Sequence, residues 1–207
     1  MFYQLKFWAV FQRHILLLMP FNLPNILTWL RILAIPLFVG IFYFPPSWLS
    51  HSDQNLIAAA IFAGAAVTDW LDGYLARVLN QTSAFGAFLD PVADKLMVAA
   101  ALVVLVQLER LDALVAFIII GREITISALR EWMAQIGKSK SVGVSFMGKI
   151  KTASQMVAIP LLLYHDPAGD LNPQEVGTWF IYLAAVLTLW SMAYYLKVAI
   201  PQALKHG

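Results

Sequence analysis

Six continuous apolar stretches, each of membrane-spanning length, make up most of this sequence. A helix needs roughly 20 apolar residues to cross the hydrocarbon of a bilayer. Because apolar residues follow one another without alternation, helices are favoured over a β-barrel. The sequence therefore predicts an all-α membrane protein with six transmembrane helices, at residues 26–44, 56–79, 85–108, 111–136, 146–164 and 176–199.

Composition supports the same class. Of the 207 residues, 60% are apolar and 13% are charged, whereas a soluble domain has about 45–50% apolar and about 25% charged residues. So little charge cannot cover a water-facing surface, which excludes a soluble enzyme, a disordered chain and a nucleic-acid-binding domain. The sequence has no cysteine, which excludes disulfides, a thiol nucleophile and a thiolate metal site.

Basic residues are divided unequally between the two sides of the predicted bundle. On one side the connections contain a single basic residue, Arg110. The other side carries ten, in its connections and at the adjoining helix ends: Lys6, Arg13, Arg77, Arg130, Lys138, Lys140, Lys149, Lys151, Lys197 and Lys205. Arg31, Lys95 and Arg122 lie deeper within the predicted helices and are left out of this count. Lys and Arg are retained on the cytoplasmic side of membranes, so we expect both termini to be cytoplasmic.

Residues 1–19 are interpreted apart from a single membrane domain at residues 20–207. We favour an N-terminal interfacial helix or extension for this segment. A signal peptide is the first alternative, although no small-x-small cleavage site precedes Phe21. A translation start at Met19 is the second.

Four aspartates interrupt the second and third predicted helices. Asp69 and Asp72 are three residues apart, and Asp90 and Asp94 are four residues apart. Either spacing places both carboxylates on one face of a helix. Ionised side chains are costly within a membrane and usually functional. Two divalent cations would balance the four negative charges, and oxygen ligands suit Mg²⁺ or Mn²⁺; helix caps and pairing with nearby basic residues are the structural alternatives.

The residues around these aspartates resemble the CDP-alcohol phosphatidyltransferase family. The resemblance rests on a motif whose fixed positions are all filled at the family's spacing, namely Asp69-Trp70-Leu71-Asp72-Gly73-Tyr74-Leu75-Ala76-Arg77 followed by Gly86, Asp90 and Asp94. It extends from Asn22 to the last predicted helix. Two later segments, residues 121–132 and 148–155, look like the branch of the family whose acceptor is sn-glycerol 3-phosphate.

The resemblance implies both a reaction and a site. Family members transfer the phosphatidyl group of CDP-diacylglycerol to an alcohol and release CMP. Two Mg²⁺ or Mn²⁺ ions would be bound by Asp69, Asp72, Asp90 and Asp94, with Asp94 also acting as the general base. The residues expected to bind CDP-diacylglycerol are Asn25, Thr28, Asp69, Gly73, Arg77 and Gly86.

The acceptor's phosphate requires cations of its own. Four basic residues of the fourth and fifth predicted helices are predicted to bind it: Arg122, Arg130, Lys149 and Lys151. Charged donors give phosphate strong hydrogen bonds. The alternatives are an ion pair between Arg122 and the adjacent Glu123, and lysines that serve only to orient the protein in the membrane.

The predicted function is therefore transfer of a phosphatidyl group to sn-glycerol 3-phosphate, a step of phospholipid biosynthesis. We expect a multi-pass protein of the bacterial inner membrane, with a cytoplasmic active site and, by analogy with the family, a homodimer. One alternative is a family member with another acceptor, such as inositol phosphate. From other classes, a divalent-cation transporter and a structural membrane subunit remain, and neither would release CMP.

Overall fold

Six long α-helices account for nearly all of the chain that the computed structural model describes, which is residues 23–78, 84–137, 146–167 and 169–206. The interpretation of residues 1–19 lies outside that part. In chain order the helices are α1 (Leu23–Gly40), α2 (His51–Val78), α3 (Ala84–Gln107), α4 (Ala113–Gln135), α5 (Phe146–Tyr164) and α6 (Pro173–His206). A 3₁₀ turn at Ile41–Tyr43 follows α1. The prediction of an all-α protein is confirmed.

Two helices extend beyond their predicted ends. Helix α2 begins at His51 rather than at residue 56, because Ser50 caps it. The backbone N–H of Asp53 donates to Ser50 Oγ at 3.2 Å, as at a serine N-cap, and Ser50 Oγ donates to Asp53 Oδ2 at 2.6 Å. Helix α6 has 34 residues and continues to His206, beyond the apolar residues from which its end was predicted.

Within the described ranges, three segments are long and apolar enough by themselves to cross a membrane, at Asn25–Tyr43, His51–Leu71 and Pro173–Lys197. Helices α3, α4 and α5 contain most of the charged residues predicted to form the site. Large apolar side chains such as Leu37, Phe117 and Trp179 are exposed on the outside of the bundle. An apolar outer surface suits contact with lipid, and the chain is an all-α membrane protein.

Contacts between the helices form a ring in the order α1, α2, α5, α6, α4 and α3. The contact between α5 and α6 is the most extensive, and a Cβ atom at Gly177 would lie 2.8 Å from Leu162 Cγ, so only glycine permits this approach. Helices α2 and α3 touch each other at few positions because α1 packs against both. The two aspartate-bearing helices are therefore joined mainly through α1.

Apolar packing is concentrated at one end of the ring. The main buried cluster comprises the end of α1 with Phe38, the start of α2 with Phe62, and the facing parts of the other helices with Leu102, Ile159 and Ile181. At the same end Arg110 Nη1 donates to the carbonyl oxygen of Leu163 at 2.8 Å. Burial lowers the pKa of Arg110, an effect that the neighbouring Asp166 opposes. The opposite half of the ring contains a smaller apolar cluster with Ile126, Met133 and Tyr195, together with the polar residues of the candidate site.

Candidate functional site

A cavity of about 520 Å³ lies in the polar half of the ring, where α3 has little direct contact with α4 and α5. This volume lies within the range of about 300–1,000 Å³ that is usual for ligand sites. Helices α2 and α3 contribute carboxylates to one wall, and α4 and α5 contribute basic residues to the other. Six predicted site residues line it together: Asp69, Asp90, Asp94, Arg122, Arg130 and Lys151.

The carboxylates are held by α1, through a residue that was not predicted to belong to the site. Arg31 is buried, and its Nη1 donates to Asp69 Oδ1 at 3.0 Å and also to Asp94 Oδ1. A buried guanidinium needs anionic partners, and the two aspartates need a countercharge to lie near each other. Arg31 therefore joins the aspartates of α2 and α3 from the helix that lies between them.

Thr28 lies one turn before Arg31 on α1 and contacts the third carboxylate of the wall, that of Asp90. Its hydroxyl donates to Asp90 Oδ1, and the threonine itself is fully buried. Asn25, a further turn away, is buried as well. Thr28, which is predicted to bind CDP-diacylglycerol, therefore contacts an aspartate that is predicted to bind a metal ion. These polar residues form one stripe along α1, which gives that helix a face directed at the site.

The predicted glycines of the donor site occupy different environments. Gly86 is buried near the start of α3, whereas Gly73 is partly exposed on α2. A Cβ atom placed at Gly73 would meet nothing within 4 Å, so there is open space beside this turn of the helix. Neither glycine lines the cavity itself. The side chains of Asp72 and Arg77 lie outside the part of the chain that the structure describes.

A smaller recess of about 180 Å³ adjoins the carboxylates on their other side. It shares Asp69 and Asp94 with the main cavity, and its remaining wall is largely apolar, with Phe62, Ala66 and Met97. The two aspartates therefore lie at the junction between a polar cavity and an apolar recess.

The basic wall of the cavity is organised around Glu123. Arg122 Nη1 donates to Glu123 Oε1 at 3.2 Å, and Lys151 Nζ pairs with the same oxygen. The expected alternative of an Arg122–Glu123 ion pair is thus realised, yet it does not neutralise the wall. With Arg130 included, three cations of α4 and α5 face one carboxylate on this wall, an excess of two positive charges, and Lys95 of α3 also lines the cavity.

Side chains of α6 contact the two arginines of the basic wall, Arg122 and Arg130. Arg122 Nη2 donates to Ser191 Oγ at 3.0 Å. The guanidinium carbons of Arg122 and Arg130 lie 5.8 Å and 5.5 Å from the ring centroid of Tyr195, and Arg130 Nη2 donates to the tyrosine hydroxyl at 3.3 Å. Tyr195 is 1% exposed. A buried ring that contacts both guanidinium groups orients them by cation–π interaction.

The structure does not place Lys149 with the other predicted acceptor residues. Lys149 is exposed and is absent from the residues that line the cavity, whereas Lys151 is buried there. Two residues along a helix correspond to a rotation of about 200°, so the two lysines point in opposite directions. The prediction that Lys149 lines the acceptor site is therefore corrected: it has the position of a residue that orients the helix in the membrane.

The oxygen atoms of the carboxylate wall are suitable ligands for a hard divalent cation. All three described aspartates offer oxygen ligands, and the side chains of Asp69 and Asp94 are 43% and 38% exposed. Mg²⁺ and Mn²⁺ prefer such ligands. Among the residues that the structure describes, no three acidic or histidine side chains are grouped as a ready metal site. The fit therefore rests on the type and accessibility of the ligands.

Comparison with known proteins places these residues in a family context. Residues 21–190 match the CDP-alcohol phosphatidyltransferase family. A protein of Escherichia coli (strain K12) is 50% identical over 183 residues, which cover 87% of this chain and 96% of the relative. A protein of Shigella flexneri serotype 5b (strain 8401) has the same identity and coverage. Both relatives are named CDP-diacylglycerol--glycerol-3-phosphate 3-phosphatidyltransferase.

Proposed function

The chain belongs to the CDP-alcohol phosphatidyltransferase family, and we propose that it transfers the phosphatidyl group of CDP-diacylglycerol to sn-glycerol 3-phosphate, giving phosphatidylglycerophosphate and CMP. One observation carries this proposal: a carboxylate wall and a basic wall face each other across a single cavity. The carboxylate wall suits metal-assisted activation of the donor's phosphate groups. The basic wall suits an acceptor that carries a phosphate group.

The charge of the basic wall matches the acceptor. A phosphate monoester carries about −1.5 to −2 charges near pH 7, and the wall has an excess of two positive charges. An uncharged alcohol such as glycerol would offer these cations no charged partner. We infer that Arg122, Arg130 and Lys151 bind the acceptor's phosphate.

The chemical step is a substitution at the phosphorus atom of the phosphatidyl group. The acceptor's hydroxyl oxygen forms a bond to that phosphorus, the bond to the CMP oxygen breaks, and Asp94 accepts the hydroxyl proton. We propose that Asp69, Asp72, Asp90 and Asp94 hold two divalent cations, whose charge would stabilise the entering and leaving oxygens. Arg31 and Thr28 orient the carboxylates that Asp69, Asp90 and Asp94 present to the cavity.

The donor is proposed to occupy the junction between the two cavities. The part of its acyl chains nearest the phosphates would contact the recess lined by Phe62, Ala66 and Met97, while its phosphates reach the carboxylates. Gly73, with open space around it, and Arg77 are proposed to contact the cytidine diphosphate, together with Gly86 and Asn25.

We propose that the cavity opens to the cytoplasm of a bacterial inner membrane. Arg130 and Lys151 lie at the cavity end of the ring, and Arg110 lies at the opposite end, as the unequal distribution of basic residues requires. The proposed acceptor is a soluble metabolite and the donor is a lipid, so a cytoplasmic opening gives the site access to both. A homodimer is proposed by analogy with the family.

An acceptor panel tests the function directly. Purified protein in detergent is supplied with CDP-diacylglycerol and, in turn, with sn-glycerol 3-phosphate, glycerol and inositol phosphate, and CMP release is measured. We expect rapid release with glycerol 3-phosphate and little with glycerol, because glycerol lacks the charge that the basic wall requires. Faster release with inositol phosphate would assign another acceptor. Cation flux in vesicles without CMP release would support a transporter.

The two lysines of α5 give a matched test of the acceptor site. Lys151→Met is expected to raise the acceptor KM about 10–100-fold, since a charge-assisted hydrogen bond contributes about 1.5–3 kcal/mol. Lys149→Met, two residues away on an exposed face, should leave it unchanged. The KM for CDP-diacylglycerol should not change in either variant. Equal effects of the two substitutions would mean that the lysines attract the acceptor by long-range charge instead of binding it.

A further inference from the structure

Two buried nitrogen atoms on the basic wall have no hydrogen-bond partner within the described part of the chain: Gln155 Nε2 and Arg122 Nε. Gln155 is 4% exposed and Arg122 is 6% exposed, and both residues line the cavity. The other two guanidinium nitrogen atoms of Arg122 each make a hydrogen bond: Nη1 donates to Glu123 and Nη2 donates to Ser191. Gln155 has no role in the site as described so far.

An amide donor in this position is costly unless a ligand uses it. Leaving a buried polar group without a partner destabilises the folded protein, whereas an apolar side chain of the same shape avoids this penalty. Gln155 lies four residues after Lys151, so both side chains lie on the same face of α5, one turn apart. The amide nitrogen of Gln155 thus belongs to the same wall as the cations predicted to hold phosphate.

We propose that Gln155 is a binding residue for the acceptor's phosphate, with its Nε2 donating to a phosphate oxygen beside Arg122 Nε. This inference rests on the proposed function. The ligand must offer acceptor atoms to two N–H donors, which phosphate oxygens do and which an alkyl group does not. A neutral donor also adds a contact without adding to the positive charge, which already balances a phosphate monoester.

The primary test is Gln155→Met, which keeps the length of the side chain and removes its donors. Binding is measured with inorganic phosphate as the probe, from the rise of the unfolding temperature with phosphate concentration. Saturating CMP is present throughout, so that the proposed CDP-diacylglycerol site is occupied and phosphate binds only at the acceptor site. We expect the apparent Kd for phosphate to rise about tenfold, as for the loss of one hydrogen bond to a charged group. The acceptor KM should rise by a similar factor, with kcat and the donor KM unchanged.

Stability provides a second readout that a merely structural role would not share. Because Gln155→Met replaces a buried unpartnered amide by an apolar group, the unfolding temperature without phosphate should stay the same or increase. Gln135→Met is the control, since Gln135 is exposed at the end of α4 and does not line the cavity. Gln155→Glu keeps the polar shape, supplies a variant in case the methionine protein does not fold, and should weaken phosphate binding further through its negative charge.

The possible outcomes separate this inference from the proposed function. If phosphate binding is unchanged in Gln155→Met, or if only the acceptor KM increases while the Kd for phosphate does not, the assignment of Gln155 to the phosphate is overturned. If the unfolding temperature without phosphate falls sharply in both Gln155→Met and Gln155→Glu, Gln155 is structural and the inference fails. Wild-type protein that binds phosphate through Gln155 but releases no CMP with glycerol 3-phosphate would contradict the proposed reaction alone.

Discussion

Asp90→Asn is expected to lower phosphatidyl transfer more than about 100-fold while the protein remains folded in the membrane. Asn keeps the shape of the side chain and can still accept the hydrogen bond from Thr28, so the packing of α1 against α3 should persist. What is lost is one negative charge of the proposed two-metal site. Removing even an outer-shell partner of a metal ligand typically costs 10–100-fold in affinity or activity, and a ligand itself should cost more.

The same loss is expected for Asp69→Asn and Asp72→Asn, measured as CMP release from CDP-diacylglycerol. Asp112→Asn is the matched control. Asp112 is exposed and caps α4 by accepting a hydrogen bond from the N–H of Leu114 at 2.7 Å, a role that Asn fills equally well. A chelator should silence the wild-type enzyme, and Mg²⁺ or Mn²⁺ should restore it. Full activity in excess chelator would contradict the two-metal proposal.

The helices could be predicted because the bilayer leaves few alternatives. A continuous apolar stretch of about 20 residues must satisfy its own backbone hydrogen bonds, and a helix does so within a single segment. Helix α5 accordingly has the predicted bounds, Phe146–Tyr164. The start of α2 was missed because it depends on a hydrogen-bonded cap at Ser50, which hydropathy does not reveal. The end of α6 was missed because its last residues are more polar than the apolar stretch from which the helix was predicted.

The aspartates were predicted from their spacing, but their countercharge was not. Arg31 lies inside a predicted helix and was given no role, because two metal ions were predicted to balance the charge of the aspartates. Its spacing gave a usable signal, since Asn25, Thr28 and Arg31 recur every three residues on an otherwise apolar helix. A polar stripe of that kind predicts a face directed at a site. The partners of Arg31 could not be read from the sequence, because they lie on two other helices.

The contribution of α6 was missed for a related reason. Thr188, Ser191 and Tyr195 are spaced by three and four residues and are all buried, which marks one polar face of the longest helix. The sequence shows this face but not what it contacts. Only the ring order, in which α6 packs against both α4 and α5, brings Tyr195 under Arg122 and Arg130.

Asp94→Asn is expected to retain binding of CDP-diacylglycerol and to lose turnover about 10²–10⁴-fold, the range for general-base catalysis. Asp94 lines the main cavity opposite the basic wall, where an acceptor held by Arg122 and Lys151 would present its hydroxyl. Asn keeps an oxygen that can accept from Arg31, so the carboxamide should take the place of the carboxylate. It cannot accept the proton.

The dependence on Mg²⁺ separates this base role of Asp94 from its proposed share in holding a metal. If the loss in Asp94→Asn came from a weakened ion site alone, raising the Mg²⁺ concentration should recover most of the turnover by mass action. Loss of the proton acceptor should persist at saturating Mg²⁺, because occupancy of the ion site is then no longer limiting. Asp90→Asn, which removes a proposed ligand and no base, is the comparison in the same titration. Residual turnover above about a tenth of wild type at saturating Mg²⁺ is incompatible with the 10²–10⁴-fold contribution of a general base, and would assign the proton to another acceptor in the cavity.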